Sequence, residues 1–134
     1  MFHKPSGFTP KEDYLHVIEH SQVISLDMII TNPDGKILLG KRNNEPAKNT
    51  WFVPGGRVFK NETFKDACRR ISHGEFNHAL SYDKEIGVYH HNYNNNFDNE
   101  DYGTHYIVFA VAINLDAPMM LCKEALDDQH EEMR

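Results

Sequence analysis

The segment that most restricts this chain runs from Trp51 to Arg70. Trp51-Phe52-Val53 has the bulky, apolar composition of a strand, and Pro54-Gly55-Gly56 stops it. Five residues separate Gly56 from Glu62, and seven separate Glu62 from Arg70. From Thr63 the apolar residues take helical spacing: Phe64, Ala67, Cys68 and Ile71 share one face, and Thr63 with Asp66 forms a capping box. The expected product is a strand, a glycine loop and a helix over residues 63 to 73. Glycines let a backbone come close to a metal or a phosphate, and a helix leaving such a loop aims its carboxylates at the same point. Whatever the fold, it must seat this unit against a sheet.

The remaining segments supply that sheet. Thr9-Pro10-Lys11-Glu12 reads as a helix start with a hydroxyl cap, and Tyr14, Val17 and Ile18 give residues 10 to 19 an apolar face. Val23 to Thr31 is β-branched and apolar apart from Ser25 and Asp27. It ends in Asn32-Pro33-Asp34-Gly35, a tight turn that returns the chain as a strand from Lys36 to Arg42. Ile86 to Asn92 and Tyr102 to Leu115 read as two further strands. Between them Asn94 to Asp101 is so rich in Asn, Asp and Glu that a solvated loop is expected. His90 and His91 are neighbours on a strand, so they face opposite sides and cannot serve one site. The outline is an α/β sandwich with a helix between strands, and the element order leaves its topology open.

Composition narrows the class. A chain of 134 residues, 40% of them hydrophobic, suits one domain over residues 1–134. The net charge of −6 lacks the basic surface that non-specific nucleic-acid binding needs, so no nucleic-acid partner is expected. Cys68 and Cys122 lie in no C-x-x-C pattern, which favours reduced thiols over a disulfide or a zinc site. The apolar runs are strand-sized and Met1 to Pro5 lacks the apolar stretch of a signal peptide, so the expectation is no membrane partner and a cytoplasmic location.

Gly56, Glu62 and Arg70 at this spacing reproduce the first half of the Nudix signature. The second half departs: where that signature has a glutamate after the arginine and two adjacent glutamates further on, this chain has Ile71, Gly74 and Glu75. With Val23-Ile24-Ser25-Leu26-Asp27, Leu38-Leu39-Gly40-Lys41-Arg42, Gly103-Thr104-His105-Tyr106 and Asp128-Gln129-His130, the chain resembles the GDP-mannose mannosyl hydrolases over roughly residues 8 to 132. The resemblance implies an α+β Nudix fold, an α/β/α sandwich with a mixed central sheet and a loop-helix catalytic motif. It implies hydrolysis of GDP-mannose, and of GDP-glucose less selectively, to GDP and free sugar, with water attacking the anomeric carbon and inverting it.

By matching positions, one Mg²⁺ would be held by the Gly55 carbonyl, Glu75 and Gln129, with Mn²⁺ or Ca²⁺ as alternative occupants. His130 would be the general base. Arg42, Arg57, Arg70 and Tyr106 would neutralise the departing diphosphate, Asp27 and His91 would orient sugar and leaving group, and Phe8 and Tyr14 would contact the base. Two of these have a second reading: Arg70 as an ion pair to Glu62, and Tyr14 as core packing. The family forms homodimers and continues past the Gln-His pair with a tryptophan and a helix, so a homodimer lacking a C-terminal element beyond Arg134 is implied. Two other functions stay open: a pyrophosphohydrolase attacking phosphorus of a nucleoside diphosphate derivative, and a non-catalytic nucleotide-sugar binding module.

Overall fold

The computed structural model describes residues 7, 9–41, 50–98, 101–116 and 132–133. Two helices and seven strands follow in the order α1 (Lys11–His20), β1 (Val23–Thr31), β2 (Leu38–Lys41), β3 (Trp51–Phe52), β4 (Gly55–Arg57), α2 (Phe64–Phe76), β5 (Lys84–Tyr93), β6 (Thr104–Asn114) and β7 (Glu132–Met133). The larger sheet has the order β4-β1-β6-β5 and the smaller β3-β2-β7. β1 runs parallel to β6 and antiparallel to β4, while β5 pairs antiparallel with β6, so the sheet is mixed. The architecture is α+β.

Strand alternation divides β1 between two environments. Leu26, Met28 and Ile30 are buried and join Ala67, Cys68, Ile71 and Phe76 of α2, with Val111 and Ile113 of β6, in the core. Phe64 of α2 stacks on Phe109 of β6 with ring centroids 4.0 Å apart. Ser25 and Asp27 leave from the opposite face. Those two polar interruptions in an apolar strand therefore mark the side of the sheet that α2 does not cover.

Local chemistry shapes the ends of α2. The Asp66 amide donates to the Thr63 hydroxyl at 3.1 Å, as the capping reading expects. The helix runs past Gly74 to Phe76, further than residue 73, and ends at Asn77 in the left-handed conformation with φ 59°. Asn tolerates that region better than most non-glycine residues. Ser72 is buried, donating to the Cys68 carbonyl and accepting from the Leu80 amide, each at 2.7 Å.

Three expectations need correction. Thr9 does not cap α1, whose N-cap residue is Pro10 with no side-chain cap; the Thr9 hydroxyl instead accepts from Arg57. The strand from Trp51 does stop before Pro54, as expected, but Gly55 and Gly56 then belong to a further strand, β4, paired with β1 rather than to a loop. The Asn-rich stretch is not merely solvated: Asn96 is buried, donates to the Tyr102 carbonyl at 3.0 Å and accepts from the Asp98 amide at 2.9 Å. Cys68 is a buried free thiol, pushed up from its ordinary pKa by burial; Cys122 lies outside the described residues. Among the described residues no helix is long and apolar enough to cross a membrane.

Candidate active site

A cleft of about 570 Å³ opens on the face of the larger sheet that α2 leaves uncovered. Its floor is Ser25 and Asp27 of β1, Tyr106 and Val108 of β6, and His91 and Tyr93 of β5. Register explains the grouping, because residues directly opposite in a ladder share a face. His91 stands opposite Tyr106, and Asp27 opposite Gly55. One wall is Tyr14 and Arg57; the other is Leu39, Trp51 and Val53.

Asp27 is the most perturbed of these groups. Burial raises its carboxyl from 3.8 to about 6, and the charge of His91 opposes the rise. Gly55 explains how close the backbone comes. A Cβ at that position would collide with the Leu26 carbonyl oxygen and lie 2.7 Å from Asp27 Oδ1. His90 faces away from the cleft, its Nδ1 lying 3.1 Å from Nε2 of His105, so the two neighbouring histidines divide between the faces.

Arg57 is fixed from two directions. Its Nη1 donates to the Thr9 hydroxyl at 2.8 Å, and its guanidinium lies 4.7 Å from the centre of the Tyr14 ring. Phe97 stacks on that same tyrosine at 5.8 Å, so the loop after β5 supports the wall through α1. The Lys11 ammonium meets Asp98 at 2.7 Å and adds to that support.

Arg70 occupies a different place from the cleft. Its Nε and Nη2 donate to the two carboxylate oxygens of Glu62 at 2.7 and 2.9 Å, Nη2 donates to the Arg57 carbonyl at 2.7 Å, and the guanidinium lies 3.7 Å from the Phe59 ring centre. Glu62 also accepts from the Phe59 amide at 3.0 Å. Burial would raise the Glu62 carboxyl, but the hydrogen bonds from Arg70 and Phe59 prevail and hold it below its ordinary value. The pair spans the loop between β4 and α2 and fixes its shape. This is the ion-pair reading of Arg70, and the residue does not line the cleft.

Glu75 leaves α2 one turn beyond Ile71, whose side chain would meet a Cβ on Gly56 at 3.2 Å. Its Oε2 is shielded from solvent. Gly55 offers a carbonyl on the strand α2 packs against, and oxygen donors of both kinds suit a hard divalent cation. The donor set present thus fits such an ion with few protein ligands. Among the described residues no three His, Cys, Asp or Glu side chains group for a metal.

Tyr14, Asp27, Gly55, Arg57, His91 and Tyr106 therefore meet at one cleft, Arg70 braces the adjoining loop, and Glu75 lies on α2. Phe8, Arg42, Gln129 and His130 fall outside the described residues. Glu132 pairs with Leu39 of the cleft wall. Sequence reasoning missed Ser25, Leu39, Tyr93 and Val108 as cleft residues. The signal for Ser25 was available, since it keeps the period of two with Asp27.

Residues 22–134 match the family model of the NUDIX domain. The low-salt glycan biosynthesis protein Agl8 of Haloferax volcanii is 32% identical over 131 residues, 98% of this chain and 81% of that protein. The MutT protein of Methanosarcina mazei Go1 aligns in structure with a TM-score of 0.63 at 21% identity, over 84% of this chain and 75% of that one. The NUDIX domain of Shewanella oneidensis NrtR, solved with ADP ribose, aligns with a TM-score of 0.52 at 16% identity, over 94% and 82%. At such identities these structures testify to the fold.

Proposed function

Because this chain belongs to the Nudix hydrolase family, we propose that it cleaves a nucleotide sugar, GDP-mannose and less selectively GDP-glucose, to GDP and the free sugar. Water attacks the anomeric carbon, the bond from that carbon to the diphosphate oxygen breaks, and its electron pair leaves with GDP. The observation that carries this reading is the stretch of α2 from Ile71 to Glu75. Where the family signature sets three carboxylates, this helix has Ile71, Gly74 and Glu75, and Ile71 is buried in the core. A site with so little anionic oxygen suits one cation and a reaction at carbon, rather than several cations gathered for attack at phosphorus. A relative named for glycan biosynthesis, Agl8, agrees with a sugar-bearing substrate.

In this reading the Gly55 carbonyl, Glu75 and Gln129 would hold the ion. A bound Mg²⁺ would neutralise charge gathering on the departing diphosphate. Arg57 supplies a fixed cation in the cleft, and the Tyr106 hydroxyl a donor, both preorganised for the leaving group; Arg42 is assigned the same duty. Asp27 and His91 orient the sugar from the cleft floor. His130 accepts the proton of the attacking water, a task that suits an imidazole with an ordinary pKa of about 6.5. Arg70 acts at one remove, holding the loop that carries Arg57. The same reading makes the enzyme a cytoplasmic homodimer.

Hydrolysis of GDP-mannose in ¹⁸O water tests the proposal. Label recovered in mannose supports it. Label in GMP or mannose phosphate overturns it in favour of attack at phosphorus, and binding without turnover favours a non-catalytic module.

A further inference from the structure

The cleft contains an aromatic surface to which the reading so far gives no part. Trp51 is 41% exposed, whereas the other aromatic residues lining the cleft, Tyr14, Phe52, Tyr93 and Tyr106, are half-buried. Register fixes its direction. Trp51 stands opposite Lys41 and Phe52 opposite Gly40 in the β2–β3 ladder. Leu38 and Gly40 are buried, whereas Leu39, one residue out of phase with them, is half-buried. Leu39 and Trp51 share the other face, and both line the cleft.

Tyr14, the ring matched to base recognition, is half-buried in the wall of the cleft. The Arg57 guanidinium lies over it at 4.7 Å and Phe97 stacks on it at 5.8 Å. Tyr93 and Tyr106 meet edge to face at 6.0 Å and 77° in the floor. The indole of Trp51 has the area and exposure that a stacked purine needs.

We propose that Trp51 is the stacking platform for the nucleobase, an inference that rests on the nucleotide-sugar reading of this cleft. Trp51 lies four residues before Gly55, at most ~14 Å along the chain, which one nucleotide can span with its base on the indole and its diphosphate toward Gly55 and Arg57. Stacking is tolerant of base identity because every base has a π-face. Trp51 therefore supplies affinity for the nucleoside, and discrimination among bases falls to polar groups at the ring edge.

Trp51 is the sole tryptophan of the chain, so its emission reports directly on this site. GDP is expected to quench the fluorescence saturably, over the same concentrations at which calorimetry detects binding, while inorganic pyrophosphate binds without quenching. Trp51→Leu should weaken GDP binding about ten-fold with pyrophosphate affinity unchanged, and Trp51→Phe should retain most of it. Calorimetric GDP binding that leaves the emission unchanged and is equal in Trp51→Leu overturns the platform and leaves the hydrolase reading standing. Quenching by ADP-ribose but no binding of GDP supports the platform and removes the guanine substrate. If neither nucleotide binds, both readings fall.

Discussion

At the scale of single residues, two carboxylates of this protein are shifted in opposite directions, and each shift is a statement about stability. Asp27 has its carboxyl raised from 3.8 to about 6 because burial disfavours its charge. The folded chain then holds a proton more tightly than the unfolded chain, so stability is greatest below about pH 4 and falls as pH rises through 6. A gap of about two units corresponds to ~3 kcal/mol. Asp27→Asn removes the ionisable group, so in metal-free buffer it should match the wild type near pH 4 and exceed it by ~2–3 kcal/mol at pH 7.5 in urea titrations. An equal difference at both pH values would sink the argument. Glu62 behaves oppositely: its lowered carboxyl contributes above its ordinary pKa of 4.5, and that contribution is lost as pH falls through the folded value. The Arg70 side chain is 35% exposed, so solvent screens part of the pair. Arg70→Lys, which loses the two-pronged geometry, should cost ~2 kcal/mol at pH 7 and less at pH 3. A flat pH response would assign the cost to packing on Phe59 instead.

At the scale of elements, α2 is where sequence and structure explain each other. Ile71 is not a neutral replacement for a carboxylate: it is 5% exposed and closes the core over Gly56. Restoring the signature with Ile71→Glu would bury a charge among Leu26, Met28 and Phe76, and a loss of ~3 kcal/mol or more is expected in urea titration with no new cleavage at phosphorus. Unchanged stability would mean that the position can turn outward. The limits of sequence reading have physical causes. β1 was legible from its β-branched composition, and α2 from its spacing and its Thr63 cap. β4 was hidden because Gly55 and Gly56 have no side chains whose alternation could announce a strand. The parallel pairing of β1 with β6 joins residues some eighty positions apart, as Val23 with Tyr106 shows, and no local pattern encodes it. At the cleft, Asp27 stood out as a charge in an apolar strand. Trp51 gave no such sign, since an aromatic in a short strand reads first as core.

For the molecule as a whole, the fold and the proposed cation site draw on separate sources of free energy. The core of Leu26, Met28, Ile30, Leu38, Ala67, Cys68, Ile71, Phe76, Val111 and Ile113 needs no ion to close. Glu75 and the Gly55 carbonyl are few donors for a hard cation, and the chain carries a net charge of −6 that a nucleotide diphosphate must approach. Each ligand alone therefore meets an incomplete site: the ion lacks oxygens, and the diphosphate lacks compensating charge. Bound together they supply what the other needs, and such coupling is reciprocal. Millimolar Mg²⁺ alone should move the thermal midpoint by less than about 2 °C, and GDP alone by little more, because weak binding stabilises only through RT ln(1 + [L]/Kd). Added together they should raise it by roughly 4 °C or more, beyond the sum of the separate shifts. Glu75→Gln should reduce the joint effect to that sum, since it removes the one charged oxygen that the proposed site offers the ion. Additive shifts in the wild type would show that ion and nucleotide do not share a site, and the single-cation reading of the cleft would fall with them.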